Sequence, residues 1–483
     1  MASKSKFDAS STIPLWLDGK EITTSVTFDV ISPLDQQKLY KCSSASEEDA
    51  QAAVASAQKA FPEWSRTKPT VRRDIFLKAA EEFAKRRDEF WQYSHSETGA
   101  AESMFAFEFG LASNACKDIA GLIGAVQGTV PTVIDEGKSA IQIREPYGVC
   151  LGIAPWNAPN VLGLRACLQP LAMGNTVILK GSESSPATYW AIVSVLNSAG
   201  LPPGALNTIV HRPEDASKIT TALVTHPAVK KINFTGSTNV GSIIASLAGK
   251  YLKPTVMELG GKAPAIVCED ADIQNAALQC ALGAFLHAGQ ICMATERIIV
   301  HQNIVDKFKP ALKATMDHLF SDQGMGVPQL VAMVGVEKNR KLLSDAVSKG
   351  AGVVYGNPDA QEESKTTMKP VILESIKENM DIYHTESFGP TVALYTVGSD
   401  EEAIKLANDT DYGLASAVFT EDLRRGLKIA KQIETGAVHI NSMSIHDESA
   451  LSHGGAKKSG FGRFNGTLGL EEWARTKVIT WKD

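Results

Sequence analysis

From residue 146 onward, short apolar runs alternate with longer amphipathic stretches. Residues 149–154, 176–180, 206–210 and 231–234 read as buried strands, and 161–173, 186–198, 213–224 and 240–248 read as helices between them. A second alternating set follows, with strands at 263–267, 298–301 and 437–441 and helices at 273–286 and 304–320. Alternation at this spacing predicts βαβ units and parallel sheets, because parallel neighbours need a helical crossover. Two such sets predict two α/β domains with a cleft between them. Helical periodicity in 50–62, 71–87 and 101–125 makes the opening region mostly helical. The segment 131–144 places apolar residues on both sides of Asp135-Glu136-Gly137 and predicts a hairpin extension, and 477–481 predicts one more strand. Exposed strand edges of this kind are suited to pairing with another subunit.

At 483 residues the chain exceeds one ordinary core, so two or three domains are expected. With 44% hydrophobic and 21% charged residues and a net charge of -6, it has the composition of a soluble globular protein, and nothing basic points to nucleic acid. The first residues lack the apolar run of a leader, and no stretch reaches the roughly 18 uninterrupted apolar residues of a membrane span. The ending Trp481-Lys482-Asp483 is not an organelle address. Seven scattered cysteines, never spaced as Cys-x-x-Cys, fit free thiols in a reducing compartment, so the cytoplasm is the expected location and no metal is expected.

Candidate chemistry centres on Cys292, in Gly289-Gln-Ile-Cys292, which follows Glu258 in Glu258-Leu-Gly-Gly261. A thiol without metal-ligand spacing, preceded by a carboxylate in a glycine-flanked segment, suggests a covalent nucleophile and a base that activates water. Asn157, in Ala154-Pro-Trp-Asn157, falls at the carboxyl end of a parallel strand, where its amide can donate to a developing oxyanion. Lys180 and Glu183 follow another strand, and a carboxylate there accepts from ribose hydroxyls and repels a 2′-phosphate, which favours NAD over NADP. Phe234-Thr-Gly-Ser237 turns a strand into a helix whose free amides suit a phosphate, although the same pattern by itself is more often just a helix cap.

These segments, together with Glu386-x-Phe-Gly-Pro390 and Lys458-Ser-Gly-x-Gly-Arg463, occur in an order and at spacings that resemble the aldehyde dehydrogenase superfamily along nearly the whole chain. The resemblance implies an NAD-binding domain (1–127 and 147–257), a catalytic domain (258–466) and a small β oligomerisation element (128–146 and 467–483) of a homodimer or homotetramer. It also implies that Cys292 is the nucleophile, Glu258 the base, and Asn157 with the Cys292 backbone N–H the oxyanion hole. Trp156, Lys180, Ser182, Glu183, Gly236, Ser237, Leu259, Gly260, Glu386 and Phe388 would contact the cofactor. The reaction implied is oxidation of an aldehyde to the acid through a thiohemiacetal and a thioester.

The run from Trp156 to Arg165, with Ile445-His-Asp-Glu448 and Gly460-Phe-Gly-Arg-Phe-Asn-Gly466, resembles the salicylaldehyde, benzaldehyde and vanillin dehydrogenase branch. That implies an aromatic aldehyde, with Ala158, Leu162, Arg165, Ile291, Met293 and His453 on the substrate side. Small Ala158 leaves room for a flat ring, and Arg165 is placed to reach a phenol oxygen or, equally, to form an ion pair. Two positions depart from the pattern: Gly181 stands where proline is usual, and Ser452-His453 replaces Pro-Phe. His446-Asp-Glu448 lacks the spacing of a metal site. The alternatives are an aliphatic or semialdehyde dehydrogenase, a CoA-acylating relative, which generally lacks the base, a cysteine hydrolase and a non-enzymatic structural relative.

Overall fold

The computed structural model describes residues 12–321, 324–362 and 364–482, so the amino-terminal stretch read above for a leader lies outside the described residues. The first of its two large sheets has eight strands. Five of them are parallel, in the spatial order Thr255–Glu258, Val229–Thr235, Val149–Ile153, Thr176–Lys180, Leu206–Ile209. The chain starts at the central strand Val149–Ile153, builds outward on one side, then returns to build on the other. The crevice between Val149–Ile153 and Val229–Thr235 is therefore the topological switch point at which open α/β sheets bind ligands.

The second sheet has seven strands, in the order Gly352–Tyr355, Val371–Glu374, Thr391–Val397, Thr295–His301, Ala263–Val267, Ala415–Phe419, Ala437–Ile440. All its pairings are parallel except the first. Its central strands are buried on both faces, which is why they read as continuous apolar runs. The chain passes from the first sheet to the second between Glu258 and Ala263, so Glu258 ends one sheet at the border with the other.

Three features differ from the sequence reading. The opening region is mostly helical, with Glu47–Trp64, Pro69–Lys85, Arg87–Thr98 and Glu102–Leu122, but short strands not read in the sequence precede these helices: Thr27–Ile31 and Lys38–Ser43 pair antiparallel, and Leu15–Leu17 with Lys20–Ile22 closes the edge of the first sheet. These strands are only three to six residues long and interleave charges with apolar residues, which leaves little periodicity to detect. The segment 131–144 is not a hairpin of its own. Lys138–Pro146 is one long strand whose antiparallel partner is the tail Ala474–Lys482 of the same chain, and only an isolated bridge from Thr129 to Gln142 folds back on it. Finally, Gly460–Phe461 leaves the second half of the chain and adds antiparallel to Thr255–Glu258, which draws the 445–466 segment over the base.

Among the described residues all seven cysteines are free, and every one but Cys292 is buried, as expected of core residues. No described helix is long and apolar enough to cross a membrane.

Candidate active site

The cleft lies at the switch point and, with its open mouth, spans about 670 Å³. Its lining contains Trp156, Asn157 and Leu162 from the end of one strand and the following helix, and Gly236 and Ser237 from the end of the other. Glu258, Leu259 and Gly260, at the end of the first sheet's strand Thr255–Glu258, and Cys292, Glu386 and Phe388 from the side of the second sheet complete it, together with Lys338.

Cys292 sits on a tight loop after the helix Ile273–Phe285. His287 and Ala288 take left-handed conformations (φ 49° and 57°), and Gly289 follows at φ 73° with the carbonyl of Gly389 where a Cβ would be. Only glycine satisfies both demands. The loop points the Cys292 Sγ at Glu258, with Sγ to Oε1 at 3.0 Å. Burial and the adjacent Glu258 carboxylate hold the thiol well above its ordinary pKa, with Arg165 opposing. Burial would also push Glu258 up, but the charges of His453 and Arg165 and the hydrogen bond from Cys292 bring its carboxyl down to about 2. The resting pair is therefore a thiol donating to a carboxylate.

Asn157 is buried, and its Nδ2 donates to the Gln290 carbonyl at 2.9 Å. A primary amide carries two N–H donors, so this bond fixes the group and leaves a second donor. On the cofactor side, the Trp156 and Phe388 rings meet edge to face, centroids 5.7 Å apart. Glu386 Oε1 accepts from the Gly261 N–H at 2.8 Å, and burial with the charge of Glu296 raises its carboxyl to about 7. Ser237 caps the helix Thr238–Lys250, accepting from Val240 N, and the free amides of that first turn face the cleft end where it lies.

Lys180 ends its strand, and burial lowers its pKa against the opposing charge of Glu183. Ser182 is buried in the intervening turn and accepts from Ser184 N. The departure at Gly181 has a steric cause, because a Cβ there would lie 2.7 Å from the Tyr189 ring. The Tyr189 hydroxyl in turn donates to the Pro155 carbonyl at 2.6 Å, tying this turn to the segment that carries Trp156 and Asn157.

Opposite the cofactor side, Ala158, Leu162, Ile291 and Met293 form a buried apolar cluster with Met104 and Ile445, against which Cys292 packs. Two residues expected there point elsewhere. The Arg165 guanidinium is divided between Glu258, at 3.5 Å, and Asp447, which it grips closely. His453 Nε2 lies 3.7 Å from Glu258 Oε1. Of the His446 triplet, His446 and Glu448 pair at the surface while Asp447 turns inward to Arg165 and Asn465.

Two buried charges had no signal beyond standing in apolar surroundings. Lys262 pairs with Glu296 at 2.7 Å, and Glu296 accepts from the backbone N–H of Ser387 at 2.8 Å and of Phe388 at 3.1 Å. Phe388 has φ 48°, a costly conformation for an aromatic residue, and this carboxylate holds it there. Replacing Glu296 with alanine should strand the Lys262 ammonium and lower unfolding free energy by about 3–5 kcal/mol. Urea unfolding measures that loss.

Residues 16–479 match the model of the aldehyde dehydrogenase family. A vanillin dehydrogenase from a Pseudomonas sp. is 41% identical over 475 residues, 97% of each chain. A crystal structure of salicylaldehyde dehydrogenase from Pseudomonas putida, complexed with salicylaldehyde, superposes with a TM-score of 0.94 at 35% identity over 98% of both chains. Betaine aldehyde dehydrogenase from Staphylococcus aureus in complex with NAD+ gives a TM-score of 0.92 at 28% identity, covering 97% of this chain and 95% of that one. The chain belongs to the aldehyde dehydrogenase family and has its fold. It is an oxidoreductase, and its family uses NAD(P).

Proposed function

We propose that this enzyme oxidises an aromatic aldehyde to its carboxylic acid with NAD, using Cys292 as nucleophile and Glu258 as base. The observation that carries this reading is the 3.0 Å contact between Cys292 Sγ and Glu258 Oε1, placed between a cleft walled by Trp156, Glu386 and Phe388 and a buried apolar cluster. The residues present fit a dinucleotide. The helix start at Ser237 offers amides to a diphosphate, Lys180 and Glu183 with Ser182, at the end of the strand Thr176–Lys180 and just past it, would serve the adenosine ribose, and Glu386 with Phe388 would serve the nicotinamide ribose and ring.

In the reaction, Cys292 gives its proton to Glu258 and its sulfur bonds to the aldehyde carbon, while the carbonyl oxygen takes the charge. Asn157 Nδ2 and the Cys292 backbone N–H stabilise that oxyanion. A nicotinamide held by Glu386 and Phe388 would accept the hydride, and loss of that hydride takes the Cys292 adduct to a thioester. Once its first proton has passed to solvent, Glu258 removes a proton from water, the hydroxide adds to the thioester carbon, and Cys292 leaves as a thiolate that regains a proton from Glu258.

The aromatic preference is supported by the vanillin and salicylaldehyde enzymes among the relatives and by the apolar cluster with small Ala158 at the nucleophile. Residues 1–127 and 147–257 would bind NAD, 258–466 would carry the catalytic groups, and 128–146 with 467–483 would join subunits into a homodimer or homotetramer. The exposed Val478, Ile479 and Trp481 on the paired tail support the last point, and seven free thiols support a cytoplasmic setting.

Initial rates with salicylaldehyde, vanillin, benzaldehyde and a short aliphatic aldehyde, each with NAD and NADP, test the reading. The aromatic compounds should exceed the aliphatic one in kcat/KM by about tenfold or more. NAD should be preferred, because Glu183 repels a 2′-phosphate. Preference for the aliphatic aldehyde overturns the aromatic assignment, and acyl-CoA formed in place of acid overturns hydrolysis.

A further inference from the structure

The base of this site has an unusual setting. Glu258 is 1% exposed and faces three groups from three elements: Cys292 from its loop, Arg165 from the helix Pro159–Ala172, and His453 from the segment drawn over the sheet edge. Cys292 and His453 both approach Oε1, at 3.0 and 3.7 Å, while Arg165 Nη1 approaches Oε2 at 3.5 Å. Neither Glu258 Oε2 nor His453 Nε2 has a hydrogen-bond partner among the described residues.

The two cations are not equivalent. Arg165 is shared with Asp447, itself fixed by Asn465 Nδ2 at 2.8 Å, and a guanidinium does not lose its proton in proteins. Glu258 is the carboxylate within ion-pairing reach of His453 among the described residues, and histidine is the side chain whose charge changes near neutral pH. The imidazole is also built in. His453 exchanges two 2.8 Å backbone hydrogen bonds with Phe464, and the Phe464 ring lies 5.6 Å from the Arg165 guanidinium carbon. One rigid unit thus presents a permanent and a removable positive charge to the same carboxylate.

Resting on the reading of Cys292 and Glu258 given above, we propose that His453 is a positioning residue that sets the basicity of Glu258. Protonated, it holds the carboxylate as an ion that leaves the proton on Cys292. Neutral, it releases Glu258 to take that proton, so that the thiol S–H bond breaks, an O–H bond forms on Oε1, and the sulfur keeps the electron pair for attack. The same release serves the later proton transfer from water. A positive neighbour stabilises the charged form of a carboxylate, so removing it makes Glu258 a better acceptor.

The other charged groups around this centre are accounted for. His439 approaches His453 from the strand Ala437–Ile440 and is itself held down at about 4 by burial and by the charges of His446 and His453, so it stays neutral in the relevant range. His446 is paired with Glu448. Glu386 acts on Cys292 from the cofactor side and titrates at about 7, which makes comparison between variants, rather than the wild-type profile alone, the decisive measurement.

The experiment is alkylation of the cofactor-free protein by iodoacetamide, followed by mass spectrometry at Cys292, between about pH 5 and 9. Wild type, His453→Phe, His453→Gln and His453→Lys are compared, each checked for an unchanged melting profile. The wild-type rate should rise with pH in a step that depends on His453. That step should vanish in His453→Phe and His453→Gln, which at about pH 6 should react several-fold faster than wild type. His453→Lys should remain slow up to at least pH 8, because its charge persists. Retention of the step in folded His453→Phe and His453→Gln, or fast alkylation in His453→Lys, overturns the proposal. Aldehyde oxidation by the wild type is measured separately: its absence refutes the proposed reaction and leaves the alkylation result standing on its own.

Discussion

Replacing Cys292 with alanine should abolish aldehyde oxidation, a fall on the order of 10⁵ to 10⁶ in kcat as for removal of a covalent nucleophile in a concerted site. No other thiol can substitute. The remaining six cysteines are buried, and burial pushes their thiols upward, Cys116 and Cys268 to about 12 and the other four in the same direction. A buried neutral thiol neither reaches the cleft nor forms the thiolate that attacks. Cofactor affinity, measured by fluorescence titration, should change little, since the groups proposed to hold the dinucleotide lie on other segments. Retained aldehyde oxidation in this variant would refute the covalent route and leave the cleft as a site for direct hydride transfer.

How far this centre was legible in the sequence depends on the range of the interactions. Cys292 and Glu258 stand in short glycine-flanked runs, and the alternation of strands and helices placed them on two adjoining sheets. Asn157 was equally readable because a residue just past a parallel strand faces the crevice. Arg165 was visible as a charge on an apolar helix, but its partners were not. Asp447 comes 282 residues later, and no local periodicity records that the loop bearing it folds back over the helix. His453 is legible as a departure from Pro-Phe on the substrate side; its approach to Glu258 depends on the two-residue strand Gly460–Phe461, too short to leave a pattern.

The same distinction explains the corrections in the fold. The tail Ala474–Lys482 was recognisable as a strand from its own residues, whereas its pairing with Lys138–Pro146 joins segments more than 300 positions apart. Gly181 is legible only as a departure from the family pattern. Its reason is the neighbouring Tyr189 ring, which occupies the space and fastens the turn to Pro155. Sequence patterns report what an element must bury; they carry little about which distant side chain meets it.

Glu258→Gln should separate the two halves of the reaction. Glutamine keeps the shape of the side chain and cannot accept a proton from water, so the thioester should form and then persist. Mixing the variant with NAD and an aromatic aldehyde should give close to one reduced nicotinamide per active subunit, followed by turnover slowed about 10²- to 10⁴-fold, the contribution typical of a positioned general base. The burst itself should be slower than in the wild type, because Oε1 is the atom to which the Cys292 thiol donates. Mass spectrometry should then find the acyl group on Cys292, and hydroxylamine should release it. Arg165 and His453 add a second consequence. Both are held against a carboxylate that the substitution makes neutral, so the variant should lose stability in acid solution, where a protonated His453 would face Arg165 with no charge between them. A burst absent at every pH would mean that Glu258 is indispensable for making the thiolate as well as for hydrolysing the thioester. Undiminished steady turnover would mean that another group activates the water.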